Sequence, residues 1–296
     1  MGLSEHSKGL FITIIAVLIL SPDALMVRLI GCDIWTLLFW RCLLTAVTTS
    51  LLLFLRYREK FFHSFRAIGV PGLYSAATIV CGSILFVNSL KHTAAANTLI
   101  ILSATPVLSS LLSYLFLREK IARRTWLAII FCFGGILLIF SGSLQSGLLL
   151  GDLFALGATC MWATNLVILR HGKDVNMIPA NVIGNLSVVP IALLCGAAPL
   201  QVNPTDASYL LLLGGLLLPV SFAMITLGPR YLSAPEVSLI LLIETILGPI
   251  WVWLVLHEVP EVTTLIAGCL ILATLVVHTL LSMRASQLAR LETPSP

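Results

Sequence analysis

The chain has 296 residues, of which 58% are hydrophobic and only 10% charged, with a formal charge of +4. Soluble domains carry roughly a quarter charged residues, so this composition excludes a fold made to face water. A bilayer core takes about 20 apolar residues per spanning helix, which leaves room for roughly ten spans and no separate soluble domain. Nucleic acid is excluded as a partner, because the basic residues sit in short turns between apolar runs and form no single patch.

In chain order, Met1 to Gly9 is short and polar and runs into an apolar stretch with no small-residue cleavage site, so the first span is expected to be retained as a signal anchor. Hydropathy then places spans over residues 10–30, 35–55, 67–88, 95–117, 124–142, 150–170, 178–198, 207–228, 235–256 and 261–283. The polar connections Arg56 to Phe65, Arg118 to Thr125, His171 to Met177 and Gln201 to Asp206 read as turns. The fold class expected is therefore all-α integral membrane, with ten transmembrane helices and both termini on one side. Lys and Arg accumulate on the cytoplasmic side of a bilayer. With the N-terminus inside, Lys8, Arg56, Arg58, Lys60, Arg66, Arg118, Lys120, Arg123, Arg124, Arg170, Lys173, Arg230, Arg284 and Arg290 fall in cytoplasmic segments, and only Arg28 and Lys91 fall outside. This predicts a bacterial-type inner (plasma) membrane protein with both termini cytoplasmic.

Seven cysteines lie singly in apolar runs, without a C-x-x-C pair or a His at ligand spacing, so they read as small buried hydrophobes, and neither a metal nor another cofactor is expected. An internal repeat is visible when residues 91–130 are laid on 230–269: Ala95 meets Ala234, Leu115 meets Leu254, Leu117 meets Leu256 and Glu119 meets Glu258. Five spans per repeat is odd, so the second copy must enter the bilayer upside down. The charges agree, since Arg118, Lys120, Arg123 and Arg124 follow the fourth span while Glu258 and Glu261 follow the ninth. Two inverted five-helix repeats over residues 1–145 and 146–285, with a tail at 286–296, are the way many carriers build two faces around one midplane site.

The stretch Lys91-His92-Thr93-Ala94-Ala95-Ala96-Asn97, running into Ser103-Ala104-Thr105-Pro106 and ending Leu115-Phe116-Leu117-Arg118-Glu119-Lys120, resembles the fourth helix of EamA-type members of the drug/metabolite transporter superfamily. A weaker copy runs from Ser233-Ala234-Pro235-Glu236 to Leu256-His257-Glu258. The resemblance implies a ten-helix basket, a central cavity between the halves and alternating access, in a superfamily whose members move amino acids, amines, nucleotide-related metabolites and drugs. The second copy departs from the first by placing Glu244 opposite Thr105, so the halves contribute unequally to binding.

Ionisable side chains near the midplane cost about 2.5–3.5 kcal/mol on insertion scales and persist where they face a cavity or a partner. Glu244, roughly 14 Å into the ninth span among Leu241, Leu242, Ile243 and Ile246, is the first candidate, as a coupling carboxyl or an ammonium site. The competing reading is a neutral interhelical hydrogen bond. Asp23 follows Ser21-Pro22, where proline breaks the helix and frees carbonyls beside an acid; alternatively it pairs with Arg28 or Arg41 toward the outer surface. Arg41 is expected to snorkel to the interface, with neutralisation of Asp23 or capture of a substrate carboxylate as alternatives. Glu236 suits the first turn of its helix as a cap, and Glu119 and Glu258 read as structural or gating groups at the rim.

Trp162 and Asn165, one turn apart, offer a stacking ring and an orienting amide. Tyr74, Thr78, Asn88, Asn97, Tyr114, Asn185 and Phe222 are further candidates, each with interhelical bonding or packing as the alternative. Trp35, Trp40, Trp126, Trp251 and Trp253 read as interface-belt anchors. Gly134-Gly135, Gly72 with Ala76, and Gly214-Gly215 mark close helix approach, and His278 reads as a buried polar contact. The leading expectation is a secondary transporter of a small polar metabolite, an amino acid, amine or related compound, with membrane lipid as its solvent, a proton as candidate co-substrate, and a monomer or homodimer as its state. An intramembrane enzyme using Glu244 or Asp23 with His278 is the alternative, weakened by the lack of H-E-x-x-H or G-x-S-x-G. A non-transporting membrane scaffold is the third.

Overall fold

The structure is a computed structural model that describes residues 5–118, 122–171, 175–225, 231–232 and 234–292. It is all-helical among those residues. The first half contains α1 (Glu5–Leu20), α2 (Asp23–Leu29), α3 (Ile34–Tyr57), α4 (Phe61–Ala67), α5 (Gly69–His92), α6 (Ala95–Ser103), α7 (Thr105–Leu117) and α8 (Arg123–Ser146). The second contains α9 (Leu149–His171), α10 (Ile178–Leu194), α11 (Pro204–Leu212), α12 (Leu218–Ile225), α13 (Ala234–Leu256) and α14 (Val262–Glu292).

Seven stretches are long and apolar enough to cross a bilayer, and α6 with α7, bent by 41°, makes an eighth. The apolar helices Ile178–Leu194 and Ile240–Leu256 are shorter. The last helix continues to Glu292, so most of the segment expected as a tail is helical. The turn expected from Arg56 to Phe65 holds a 3-10 turn, Arg58–Lys60, and the start of α4.

Each break has a local cause. Pro22 has no amide hydrogen to donate, and the chain restarts as α2 with Asp23 in its first turn. At Ala104 a tight amide bond to the Ile101 carbonyl closes α6, and Pro106 opens α7. A π-turn at Leu213–Leu217 joins α11 to α12.

The principal packing partners lie across the halves: α5 on α9, α3 on α10, α8 on α14, and α1 on α12 and α13. Exchanging the halves relates these contacts, since α1 with α12 becomes α9 with α5, and α1 with α13 becomes α9 with α6 and α7. Large apolar side chains remain on the outer surface, among them Leu55, Phe62, Ile130, Leu137 and Leu265. An apolar exterior this broad needs lipid as its solvent.

Small residues set the helix approaches unevenly. A Cβ on Gly135 would lie 2.5 Å from Ile271, and one on Gly151 would lie 2.5 Å from the His92 carbonyl carbon and the Thr93 nitrogen. A Cβ on Gly134 or Gly215 would meet no neighbouring group within 4 Å, and one on Gly72 would meet Ile68 of its own chain segment. In the two Gly-Gly pairs it is Gly135 and Gly214 that lie against a neighbouring helix.

Candidate functional site

The α1–α2 break brings Asp23 to Arg41 on α3. Arg41 Nη2 donates to Asp23 Oδ2 at 2.8 Å, and the two side chains are only 6% and 8% exposed. Arg41 therefore does not snorkel. The π-turn explains why: Gly214 sits so close to the α3 backbone that a Cβ there would lie 2.9 Å from the Arg41 carbonyl oxygen, and this contact holds α3 inside the bundle. The pair is incompletely bonded, for Asp23 Oδ1 and Arg41 Nε have no hydrogen-bond partner.

Aromatic rings continue the site. The Arg41 guanidinium carbon lies 5.5 Å from the centre of the Phe86 ring, and Phe86 lies 5.3 Å from Trp162. Trp162 fits because residue 82 is glycine; a Cβ there would fall 2.5 Å from the indole nitrogen. Across the helix break, Trp251 Nε1 donates to Ser21 Oγ at 3.0 Å, so this tryptophan secures α13 to the break and is not solely a belt anchor. Gly248 lets α13 approach Leu99 and the Ser21 carbonyl. Glu244, one turn earlier on α13, is half-buried within electrostatic reach of Asp23.

Other sequence candidates are placed elsewhere. Asn165 accepts a hydrogen bond from Ser75 Oγ at 2.6 Å, so although it follows Trp162 by one turn it ties α9 to α5. Thr78 is buried and donates to the Ser75 carbonyl, and Asn185 bonds within its own helix. Tyr74 is 64% exposed and Phe222 is 37% exposed. His278 meets Thr125 Oγ1 at 2.9 Å, a polar contact between α14 and α8. The side chains of Glu119 and Glu236 lie outside the described residues.

Asn97 belongs to a second buried cluster whose acid, Asp152, the sequence reading did not select. Asp152 is fully buried and its Oδ1 accepts from Thr93 Oγ1 at 2.6 Å and from Asn97 Nδ2 at 3.1 Å. Thr264 Oγ1 donates to Asn97 Oδ1 at 2.6 Å, so α5, α6, α9 and α14 meet here. The available signal was the pair Gly151-Asp152 at the start of an apolar run; attention to midplane acids passed over it.

A third cluster joins α2, the α5–α6 connection and the residues after α13. Arg28 Nη2 lies 2.9 Å from Glu258 Oε2 and donates to the Thr93 carbonyl at 2.8 Å. Glu258 Oε1 accepts from the Ala95 amide at 2.9 Å, supplying the cap that Ala94 lacks at the positive end of α6. Glu258 thus pairs with Arg28. Nearby, Lys91 Nζ donates to the Ile30 carbonyl at 2.6 Å and the Gly31 amide to Asp206 Oδ1 at 3.0 Å.

An all-helical bundle of two halves, apolar outside and carrying a buried ion pair at a helix break, defines a polytopic membrane protein of the transporter class. The model of the EamA-like transporter family matches residues 7–141 and 149–280, one match in each half. The chain belongs to that family, and through it to the drug/metabolite transporter superfamily. A solved crystal structure superposes with a TM-score of 0.68 at 15% identity, covering 93% of this chain and 98% of that one, a likeness of fold alone. No curated protein matches the sequence.

Proposed function

We propose that this protein is a secondary transporter that moves an amine or a zwitterionic amino acid across the bacterial inner membrane by alternating access. The observation that carries this reading is the buried Asp23–Arg41 pair with Glu244 beside it. Two acids against one guanidinium favour a ligand that brings a positive charge, and the unpartnered Asp23 Oδ1 is an acceptor for an ammonium. Arg41 Nε, likewise unpartnered, suits a substrate carboxylate, and Phe86 and Trp162 form an apolar wall for its side chain. Glu244 is the proposed proton-coupling group.

In this reading the eight longer spans, α10 and the apolar part of α13 make ten, arranged as inverted repeats over 1–145 and 146–285. The Arg28–Glu258 end faces outward, since the basic connections lie at the other. Arg28, Glu258 and the α6 terminus form the outer closure, broken and remade as the halves rock.

Uptake or counterflow of radiolabelled amines and amino acids in proteoliposomes, with and without a proton gradient, tests the assignment. Saturable flux that falls at least tenfold in Asp23→Asn, and loses its gradient dependence in Glu244→Gln, supports it. Normal flux in both folded variants overturns the site, and no flux for any cationic or zwitterionic candidate overturns the substrate class.

A further inference from the structure

The polar cluster around Asp152 takes no part in the ion-pair site. Five segments converge there, with Thr93 at the end of α5, Asn97 on α6, Ser143 on α8, Asp152 on α9 and Thr264 on α14. All five side chains are buried; Asp152 is 0% exposed, and Asn97, the most accessible of them, only 3%. Gly151 explains the convergence. Without a Cβ it lets α9 close on the backbone of His92 and Thr93, and this brings Asp152 to the Thr93 hydroxyl.

The bonding in the cluster does not balance. Asn97 Nδ2 stands 3.1 Å from Asp152 Oδ1 and 3.2 Å from both Thr93 Oγ1 and Ser143 Oγ, three acceptors around an amide that has two hydrogens. Asp152 Oδ2 is buried and has no hydrogen-bond partner. Among the described residues no Lys, Arg or His pairs with this carboxylate. The charged group within its electrostatic reach is a second acid, Glu261, exposed just before α14. Arg28 bonds to the Thr93 carbonyl, but its charge is matched by Glu258. A buried carboxylate with no counter-charge is costly in a bilayer, and a bound cation removes that cost.

We propose that this cluster is a binding site for one sodium ion, separate from the Asp23–Arg41 site. Rotation of the Asn97 amide by half a turn points its carbonyl oxygen inward and its NH2 toward Thr264 Oγ1, a hydroxyl that accepts as well as donates. Asp152 Oδ2, the Asn97 carbonyl oxygen and the hydroxyl oxygens of Ser143 and Thr93 then coordinate the ion. An all-oxygen ligand set suits a hard cation. One carboxylate balances one positive charge, which selects a monovalent ion, and the close spacing of the four groups suits sodium over the larger potassium. Glu261 attracts cations to the cluster from the solvent side. The ion ties α6 and α8 of the first half to α9 and α14 of the second. Thr93 and the start of α6 also hold the Arg28–Glu258 contact, so occupancy makes that contact firmer. The inference does not depend on which substrate the protein moves.

The test is thermal unfolding of the purified full-length protein without substrate, with sodium chloride replacing choline chloride at constant ionic strength, alongside direct binding of radioactive sodium. A saturable rise in Tm with sodium, and not with potassium, is expected. Asp152→Asn, neutral and of the same shape, abolishes both the shift and the binding. Ser143→Ala removes one ligand with little change in volume and raises the sodium concentration at half-maximal shift about fivefold; it decides the matter if Asp152→Asn does not fold. Glu59→Gln, which removes an exposed acid outside the cluster, leaves the response unchanged. Equal responses to sodium, potassium and choline, an unaltered response in Ser143→Ala, or equal loss in Glu59→Gln overturns the proposal. So does a Tm that rises on acidification in choline and ignores sodium, since a proton then occupies Asp152. Substrate is absent throughout, so this result is separate from success or failure of the flux assay.

Discussion

The Asp23–Arg41 pair makes a sharp thermodynamic prediction. Both side chains are more than nine-tenths buried and their contact is 2.8 Å, so neither charge has water to fall back on. Removing one partner of such a pair costs about 3–5 kcal/mol, chiefly because the other is left buried and uncompensated. Asp23→Asn preserves shape and an acceptor, and Arg41 retains the face of Phe86, which places its cost near the lower end, about 3 kcal/mol. Arg41→Met leaves two carboxyls, Asp23 and Glu244, in mutual reach and should cost about as much. The double variant removes both charges and costs no more than either single change, giving a coupling energy of about 3 kcal/mol. The assay is equilibrium unfolding in mixed micelles, followed by tryptophan fluorescence for all four proteins. Additivity of the two single effects within about 0.5 kcal/mol would refute the reasoning, because it would mean that the charges are solvated separately.

Glu258→Gln weakens the closure between Arg28 and the α6 terminus, and increases the labelling rate of the half-buried Cys32 by a membrane-impermeant maleimide in a background lacking the other cysteines. Gly82→Ala pushes the Trp162 indole off its seat and lowers substrate affinity while leaving the folded yield near wild type, as measured by ligand-induced thermal shift and size-exclusion recovery. Gly151→Ala meets backbone rather than a movable side chain, so it costs about 1–3 kcal/mol and reduces Tm. Thr264→Val leaves the Asn97 carbonyl oxygen without its donor and destabilises by about 1–3 kcal/mol in the same unfolding assay. At the start of α3, partial burial opposes the charge of Asp33, but hydrogen bonds from Thr36 and Trp35 outweigh it and hold its carboxyl below the ordinary value. A lowered folded-state value means that this cap stabilises above the unfolded carboxylate range and fades as pH falls through the folded one, so the stability difference between wild type and Asp33→Ala shrinks on acidification.

Hydropathy, the L-x-E repeat and the motif from Lys91 to Lys120 were sufficient to place this chain in the membrane and in its family, because each is a local, one-dimensional property: enough apolar length per span, and a charge recurring in register. The proline break at Pro22 and the acids at 23 and 244 were legible for the same reason. Partner choice was not. Arg41 reads as an interfacial cation until the π-turn at Gly214 shows α3 held inside, and Trp251 reads as a belt residue until its indole is found on Ser21, 230 residues away in sequence. Asn165 and Trp162 share a helical spacing but diverge, one to Ser75 and the other to Phe86, because they meet different parts of α5. Asp152 was passed over because its partners Thr93, at the end of α5, and Asn97, on α6, lie more than 50 residues away in sequence, and Thr264 of α14 joins the cluster only through Asn97. Sequence alone determined which segments prefer lipid and where charges interrupt them. The rotation of each helix, and hence which polar groups satisfy one another, is set by packing between distant segments and was decided only by the tertiary structure.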